Sequence, residues 1–169
     1  MRDDLQPGGR FPDLELPDHA GNVRHLDALV GGDPTLVHFF RGWWCPKEQQ
    51  FLRGLVRLQD EAEVAYTRFV SISVDEPMVT SAFRAGLGAR WTFLCDPDRR
   101  YLDELDLREA TDTKYHPYVP TAFLLGPGRS IHATWNGYWF WGRPTNEELR
   151  LGFRDLTRSI RPDWEVPKA

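Results

Sequence analysis

Residues 35 to 58 read Thr-Leu-Val-His-Phe-Phe-Arg-Gly-Trp-Trp-Cys-Pro-Lys-Glu-Gln-Gln-Phe-Leu-Arg-Gly-Leu-Val-Arg-Leu. Leu36 to Phe40 is a β-branched, leucine and aromatic run of strand length. After Cys45 the apolar residues fall at Phe51, Leu52, Leu55, Val56 and Leu58, which is helical spacing. One cysteine therefore stands where a buried strand hands over to a helix, and the pattern carries that helix to about Val64. Pro46 suits the first helical turn, where an amide proton would lack a partner, so Cys45 falls at or just before the N-terminus. A thiolate there faces unpaired backbone N–H groups and the positive end of the helix dipole, and both favour S⁻ over SH. Arg41 and Lys47 add positive charge nearby. The plainer alternative is a small buried apolar residue, as most free cysteines are. The order strand, turn, Cys-Pro, amphipathic helix favours the reactive reading.

Working outward, Phe11 to Leu16 and Val23 to Leu29 flank a Gly-containing turn and read as a hairpin followed by a short helix. Arg68 to Asp75 reads as a strand, residues 78 to 86 as a helix closed by Gly86 and Gly88, Trp91 to Cys95 as a strand, and Tyr101 to Leu107 as helical. Strands alternating with helices imply right-handed crossovers and a mostly parallel sheet. Thr121 to Leu125 and Ser130 to Trp135, joined by Gly126-Pro127-Gly128-Arg129, read as an antiparallel hairpin at one side of it. Thr145 with Glu148 forms a capping box opening a last helix that turns Leu149, Phe153, Leu156 and Ile160 inward. The expected architecture is one α/β domain over residues 1–169, a central mixed sheet flanked by helices with an N-terminal β-hairpin extension. Residues 161–169 are expected to form a loosely ordered tail.

With 169 residues, 41% hydrophobic and 27% charged, the composition is that of an ordinary globule, long enough to bury about two-thirds of its unfolded surface. A net charge of −4 and no basic stripe argue against nucleic-acid and anionic-membrane partners. No apolar leader segment and no run of about 18 apolar residues is present, so a cytoplasmic protein is expected. Two cysteines in such a chain fit a reducing compartment, where thiols serve chemistry or packing.

Other chemistry-bearing residues gather near the same sheet edge. Cys95 ends the third apolar run and is the candidate to resolve an oxidised Cys45, against the plainer reading that it fills a buried strand end. Trp43 and Trp44 cannot both enter one core, so at least one lines the approach to the thiol. Tyr138, Trp139, Phe140 and Trp141 offer an opposite wall or a loop packed beneath the last helix. Arg143 is a candidate partner for Glu48 or for an anionic substrate, or else a solvated surface arginine. Cys45, His38, His116 and His132 lack metal-ligand spacing, and neither a phosphate loop nor a Gly-x-Ser-x-Gly elbow is found, so no metal and no cofactor are expected.

The Trp-Cys-Pro segment after a strand, the parallel-sheet pattern and Val-Pro-Thr-Ala-Phe-Leu-Leu at 119 to 125 resemble the thioredoxin fold. Gly9-Arg10-Phe11-Pro12-Asp13-Leu14-Glu15-Leu16, Pro17 to Asn22 and Phe-Arg-Gly-Trp-Trp-Cys-Pro are similar to peroxiredoxin-like redoxins of the alkyl-hydroperoxide-reductase/thiol-specific-antioxidant group. The resemblance covers about residues 8 to 160. It implies that Cys45 is the nucleophile, and that Pro120 is a cis-proline opposite it, with the Val119 backbone presented to substrate beside Thr121. The chain also departs from the family. Peroxiredoxins carry Pro and then Thr or Ser seven and three residues before the cysteine, and here those positions are His38 and Gly42. The place of their later-strand arginine falls at or beside Pro120. The second cysteine of a thioredoxin Cys-x-x-Cys is replaced, since the chain reads Cys45-Pro46-Lys47-Glu48.

The resulting expectation is a thiol-dependent antioxidant oxidoreductase in which Cys45, assisted by Arg41 and Pro120, attacks a peroxide or disulfide. Trp43, Trp44, Val119, Thr121, Trp139, Trp141 and Arg143 line the substrate, and Cys95 or an external thiol, such as a thioredoxin-type reductant, restores the cysteine. A homodimer is compatible with this reading. Peroxide reduction should be slow unless Arg41, Arg143 or a Trp N–H supplies the missing donors. The competing reading is a thioredoxin-fold binding module that holds a small molecule or a protein in a Trp-lined cleft.

Overall fold

A computed structural model describes residues 1–137 and 142–162. Residues 163–169 of the expected 161–169 tail and the Tyr138 to Trp141 cluster lie outside the described residues. The N-terminal hairpin pairs β1 (Glu15–Pro17) with β2 (Val23–His25), and α1 (Leu26–Val30) follows at once. The central sheet is built from β3 (Thr35–Phe39), β4 (Arg68–Ser73), β5 (Thr92–Cys95), β6 (Thr121–Leu125) and β7 (Ile131–Asn136). Its order is β5-β4-β3-β6-β7. β3, β4 and β5 run parallel, while β6 and β7 pair antiparallel, so the sheet is mixed as expected. The helices are α2 (Pro46–Val64), α3 (Pro77–Leu87), α4 (Arg100–Glu104) and α5 (Asn146–Ile160). No helix among the described residues is long and apolar enough to cross a membrane.

β3 lies in the middle with all five residues buried, which is why its sequence is apolar apart from Thr35 and His38 rather than alternating. Its side chains still alternate between two cores. Val37 and Phe39 join Phe11, Leu14, Leu26, Ile72, Leu102, Tyr118 and Phe123 on the face covered by the N-terminal hairpin, α1 and α4. Leu36 and Phe40 join Leu52, Leu55, Leu58, Phe93, Leu124, Leu149 and Phe153 on the face covered by α2, α3 and α5. The capping box forms as expected: the Glu148 N–H donates to the Thr145 hydroxyl at 3.2 Å, and the Thr145 N–H donates to the Glu148 carboxylate at 2.7 Å.

β3 thus points its C-terminal end, and with it residues 40 to 45, at the edge where α2 begins. The Phe39 ring holds the opposite face, packed against Phe11, Tyr118 and Phe123 with centroids 6.0, 4.9 and 6.0 Å away. Phe39 has no exposed surface, so a Phe39→Ala variant leaves a cavity among three aromatic rings. It should lose about 3–5 kcal/mol of stability, read as a lower urea midpoint with an unchanged denaturant slope.

Candidate active site

Cys45 is the N-cap residue of α2, with extended backbone angles (φ −83°, ψ 115°) and Pro46 at the first helical position. Its N–H donates to the Gly42 carbonyl at 3.2 Å, and its carbonyl accepts the Gln49 N–H at 3.0 Å, the first bond of the helix. The thiol makes no capping hydrogen bond and is a free cysteine, 3% exposed. The strand, turn and helix therefore present this sulfur at the positive end of a 19-residue helix, as its sequence context requires.

Directly behind it lies a buried charge network that the sequence only partly disclosed. Glu48, one turn into α2, has no exposed surface. Its carboxylate takes a two-point contact from Arg143, the Nε donating at 3.1 Å and a second guanidinium nitrogen closing the fork. His38, 1% exposed, places Nε2 3.5 Å from the same carboxylate. Neither ring nitrogen of His38 makes a hydrogen bond, and the ring packs between Phe40 and Phe51. Burial pushes His38 below its ordinary range and keeps the ring neutral. Burial opposes the Glu48 charge, yet the His38 ring and the Arg143 fork outweigh it and hold the carboxyl below its ordinary range. Arg143, which the sequence left open among a partner for Glu48, a contact for an anionic substrate and a solvated side chain, pairs with Glu48. Glu48 itself carried a readable signal: Glu48, Leu52, Leu55, Gln59 and Ala62 share one buried helical stripe, and a carboxylate in such a stripe requires a cation.

The two tryptophans have different surroundings. Trp43 is 48% exposed. Its N–H donates to Asp75 Oδ2 at 3.0 Å and its carbonyl accepts from Gln49 Nε2 at 2.7 Å. Trp44 is half-buried and contacts two side chains. Tyr115 stacks on it at 4.0 Å and 20°, and the Arg41 guanidinium lies 5.0 Å from its ring centroid. Arg41 is pinned in turn by Asp112 at 2.6 Å, and Asp112 caps its own loop by accepting the Tyr115 N–H at 2.9 Å. Arg41 is thus committed to an aromatic clamp and a carboxylate. Gly42, at the position of the family hydroxyl, has φ +145°, a backbone angle only glycine adopts comfortably. A β-carbon there would come within 2.7 Å of Trp44 Nε1 and 3.2 Å of both Asp75 carboxylate oxygens. Burial pushes the Asp75 carboxyl up, against the Trp43 N–H and the Ser73 hydroxyl that bond it.

The segment from Val119 to Thr121 departs from expectation. Every peptide bond among the described residues is trans, Val119–Pro120 included. The Val119 N–H donates to Leu107 at 2.7 Å, and its carbonyl accepts the Thr121 hydroxyl at 3.0 Å. These bonds draw the chain extended into β6 and leave neither Val119 group to offer a substrate, while Thr121 is fully buried. Pro120 is a strand-initial proline, not a cis-proline facing Cys45. Cys95 ends β5, beyond β4 from the strand that delivers Cys45, and is fully enclosed. Burial pushes its thiol up to about 11, and the nearby charges of Asp75, Asp18 and Glu76 add to the shift against a hydrogen bond from Thr80. Trp139 and Trp141 lie outside the described residues.

The network behind Cys45 carries a measurable consequence. An Arg143→Ala variant strands the Glu48 carboxylate in the interior and should cost about 3–5 kcal/mol. Adding Glu48→Gln to it should restore part of that loss, read as a partial recovery of Tm over the single variant.

Comparison with known proteins agrees with this geometry. The AhpC/TSA family model matches residues 7–134. A putative peroxiredoxin of Mycobacterium tuberculosis is 25% identical over 130 residues, covering 75% of this chain and 82% of that protein. Among solved structures, the peroxidoxin BcpB of Mycobacterium tuberculosis superposes with a TM-score of 0.76 at 20% identity, covering 92% of this chain and 98% of that one. Reduced Prx3 of Vibrio vulnificus, in complex with hydrogen peroxide, superposes at 0.77 with 16% identity, covering 87% and 97%. The two superpositions show a shared fold. The family model spans most of the chain and includes the strand, Cys45 and the helix it caps, so this chain belongs to the AhpC/TSA family.

Proposed function

We propose that the chain is a thiol-dependent peroxidase in which Cys45 is the nucleophile and an external thiol is the reductant. The observation that carries the reading is the seat of Cys45 as the N-cap of α2, behind Pro46 and in front of the Glu48–Arg143 pair. Family membership supports the same activity. The thiolate attacks one oxygen of the peroxide, an S–O bond forms as the O–O bond breaks, and the departing oxygen takes up a proton to leave as water or an alcohol. The sulfur is left as a sulfenic acid. A thiol from outside displaces water from it to give a mixed disulfide, and a second thiol then frees Cys45 as a new disulfide departs.

Two features of Cys95 support an external thiol over an internal partner. The side chain is enclosed, and its thiol, pushed up to about 11, contributes little thiolate near neutral pH. The Glu48–Arg143 pair supports a positioning role for both residues, since it ties the first turn of α2, and so the nucleophile, to the segment entering α5.

Single-cysteine variants test this directly. With hydrogen peroxide as oxidant and dithiothreitol as reductant, Cys45→Ser should abolish peroxide consumption and Cys95→Ser should leave it intact. Intact-mass measurement after one peroxide pulse should show one added oxygen, trapped by dimedone, on the wild type and on Cys95→Ser. A Cys45–Cys95 disulfide, or an unreactive Cys45, would refute the scheme.

A further inference from the structure

The far end of α2 carries a cavity that the chemistry of Cys45 does not use. It opens between the C-terminal ends of α2 and α5, with a volume of about 510 Å³, inside the range of ~300–1,000 Å³ for small-molecule sites. Cys45 caps the other end of the same 19-residue helix, so the cavity lies roughly 28 Å from the sulfur. A molecule held there is not the one that Cys45 attacks.

The walls are of two kinds. Phe153, Val64 and Tyr66 form an apolar side, and two of them are bare, Val64 being 83% exposed and Tyr66 75%. Tyr66 stands just beyond α2 at φ +53°, the left-handed position in which helices usually end on glycine. Arg154, Arg158 and Arg161 form the other side, along one face of α5 and its C-cap, and no acidic residue among the described residues lines the cavity. None of the three makes an ion pair or a side-chain hydrogen bond among the described residues. Glu61 feels the charge of Arg154, but Arg150 already holds both of its carboxylate oxygens at 2.8 Å. The helix dipole accounts for Arg158, in the last turn, but its pull has faded at Arg154. In a chain of net charge −4 this is a local reversal of sign.

Thr67 adds an independent observation. It lines the cavity, is 6% exposed, and its hydroxyl makes no hydrogen bond among the described residues. A buried hydroxyl ordinarily has a partner. We propose that the cavity binds a medium-chain fatty carboxylate, free in solution, with its chain against Phe153, Val64 and Tyr66 and its head on Arg154 and Arg158. The walls select that class. A neutral apolar molecule leaves the arginines unanswered, and a bare anion leaves Val64 and Tyr66 in water. A guanidinium offers a carboxylate two parallel N–H donors, which fixes the head while the apolar side takes the chain. The Thr67 hydroxyl is a further donor to the bound molecule. The site stands independently of the reaction at Cys45.

Isothermal titration calorimetry of the full chain with octanoate tests this, with inorganic phosphate as the head alone and octanol as the tail alone. Octanoate should bind at one site, and the other two about tenfold more weakly or worse. Replacing both arginines, Arg154→Gln with Arg158→Gln, should weaken octanoate about 10²-fold, close to tenfold for each charged donor lost, with the ligand-free Tm unchanged. Thr67→Val should weaken it without lowering Tm, since the hydroxyl has no partner in the free protein. Cys45→Ser should bind octanoate as wild type does. Equal affinity in wild type and the double arginine variant would overturn the proposal, and so would phosphate or octanol binding as tightly as octanoate. Loss of binding in Cys45→Ser would overturn it by moving the site to the thiol. Absence of octanoate binding to the full chain would overturn it as well. If Trp164→Ser then restored binding, the occupant would be the chain's own residues 163–169, where Asp163 and Glu165 flank that tryptophan.

Discussion

A carboxylate with no exposed surface sits one turn beyond Cys45, and much of the site is arranged around satisfying it. Moving an ionised glutamate out of water costs several kcal/mol unless a cation and hydrogen bonds replace the lost solvation. Glu48 obtains both from Arg143, a residue 95 positions away in sequence, just before the last helix. The pairing therefore staples the first turn of α2 to the segment that enters α5. Such a pair adds little net stability over an apolar substitute, but it fixes one geometry, because every alternative position of the turn leaves a buried charge unpaired. For a cysteine whose reactivity depends on where a helix begins, that fixity is the useful product. His38 completes the enclosure. A neutral ring in the position where the family carries proline fills the floor between Phe40 and Phe51 without adding a second buried charge.

The other side of the site is governed by an aromatic clamp. Arg41, just beyond β3, reaches the loop at residues 108 to 120, where Asp112 takes its guanidinium, and the Trp44 ring contacts both that guanidinium and Tyr115. The same Asp112 accepts the N–H groups of Lys114 and Tyr115, so one carboxylate shapes the loop and anchors the arginine together. Gly42 belongs to this unit as well. Its φ of +145° and the nearness of Trp44 Nε1 exclude a side chain there, so glycine at that position and tryptophan two residues later are a single structural choice.

The frame of the molecule could be read from its sequence because its elements declare themselves locally. The change of period from two to 3.6 at Cys45, Pro46 at the first helical position, and the Thr145–Glu148 capping box each sit within a few residues of the feature they specify. Glu48 was readable too, by extending the apolar stripe of α2 backward by one turn. What could not be read depends on distant pairings: Arg41 with Asp112 across 71 residues, and Trp44 with Tyr115. The expectation for Pro120 failed for a related reason. A Val-Pro-Thr phrase before a strand fits a cis-proline facing a thiol and an ordinary strand-initial proline equally well. The choice was made by a hydrogen bond from Val119 to the Leu107 carbonyl and one from Thr121 to Val119, which local pattern does not contain.

The two cysteines show why position at the carboxyl edge of a parallel sheet does not by itself make a reactive thiol. Both follow a strand and stand close to where a helix begins, so a reading from topology alone treats them alike. Their surroundings differ in sign. Cys45 caps a 19-residue helix whose one buried carboxylate is neutralised by Arg143. Cys95 is enclosed beneath α3 with the carboxylates of Asp75, Asp18 and Glu76 as its charged neighbours, and nothing in that set stabilises a second negative charge. Asp75 faces both environments: its carboxylate packs against Gly42 on one side and raises the Cys95 thiol on the other. One acidic side chain just beyond β4 therefore raises the thiol of the second cysteine while it packs against the turn that leads to the first.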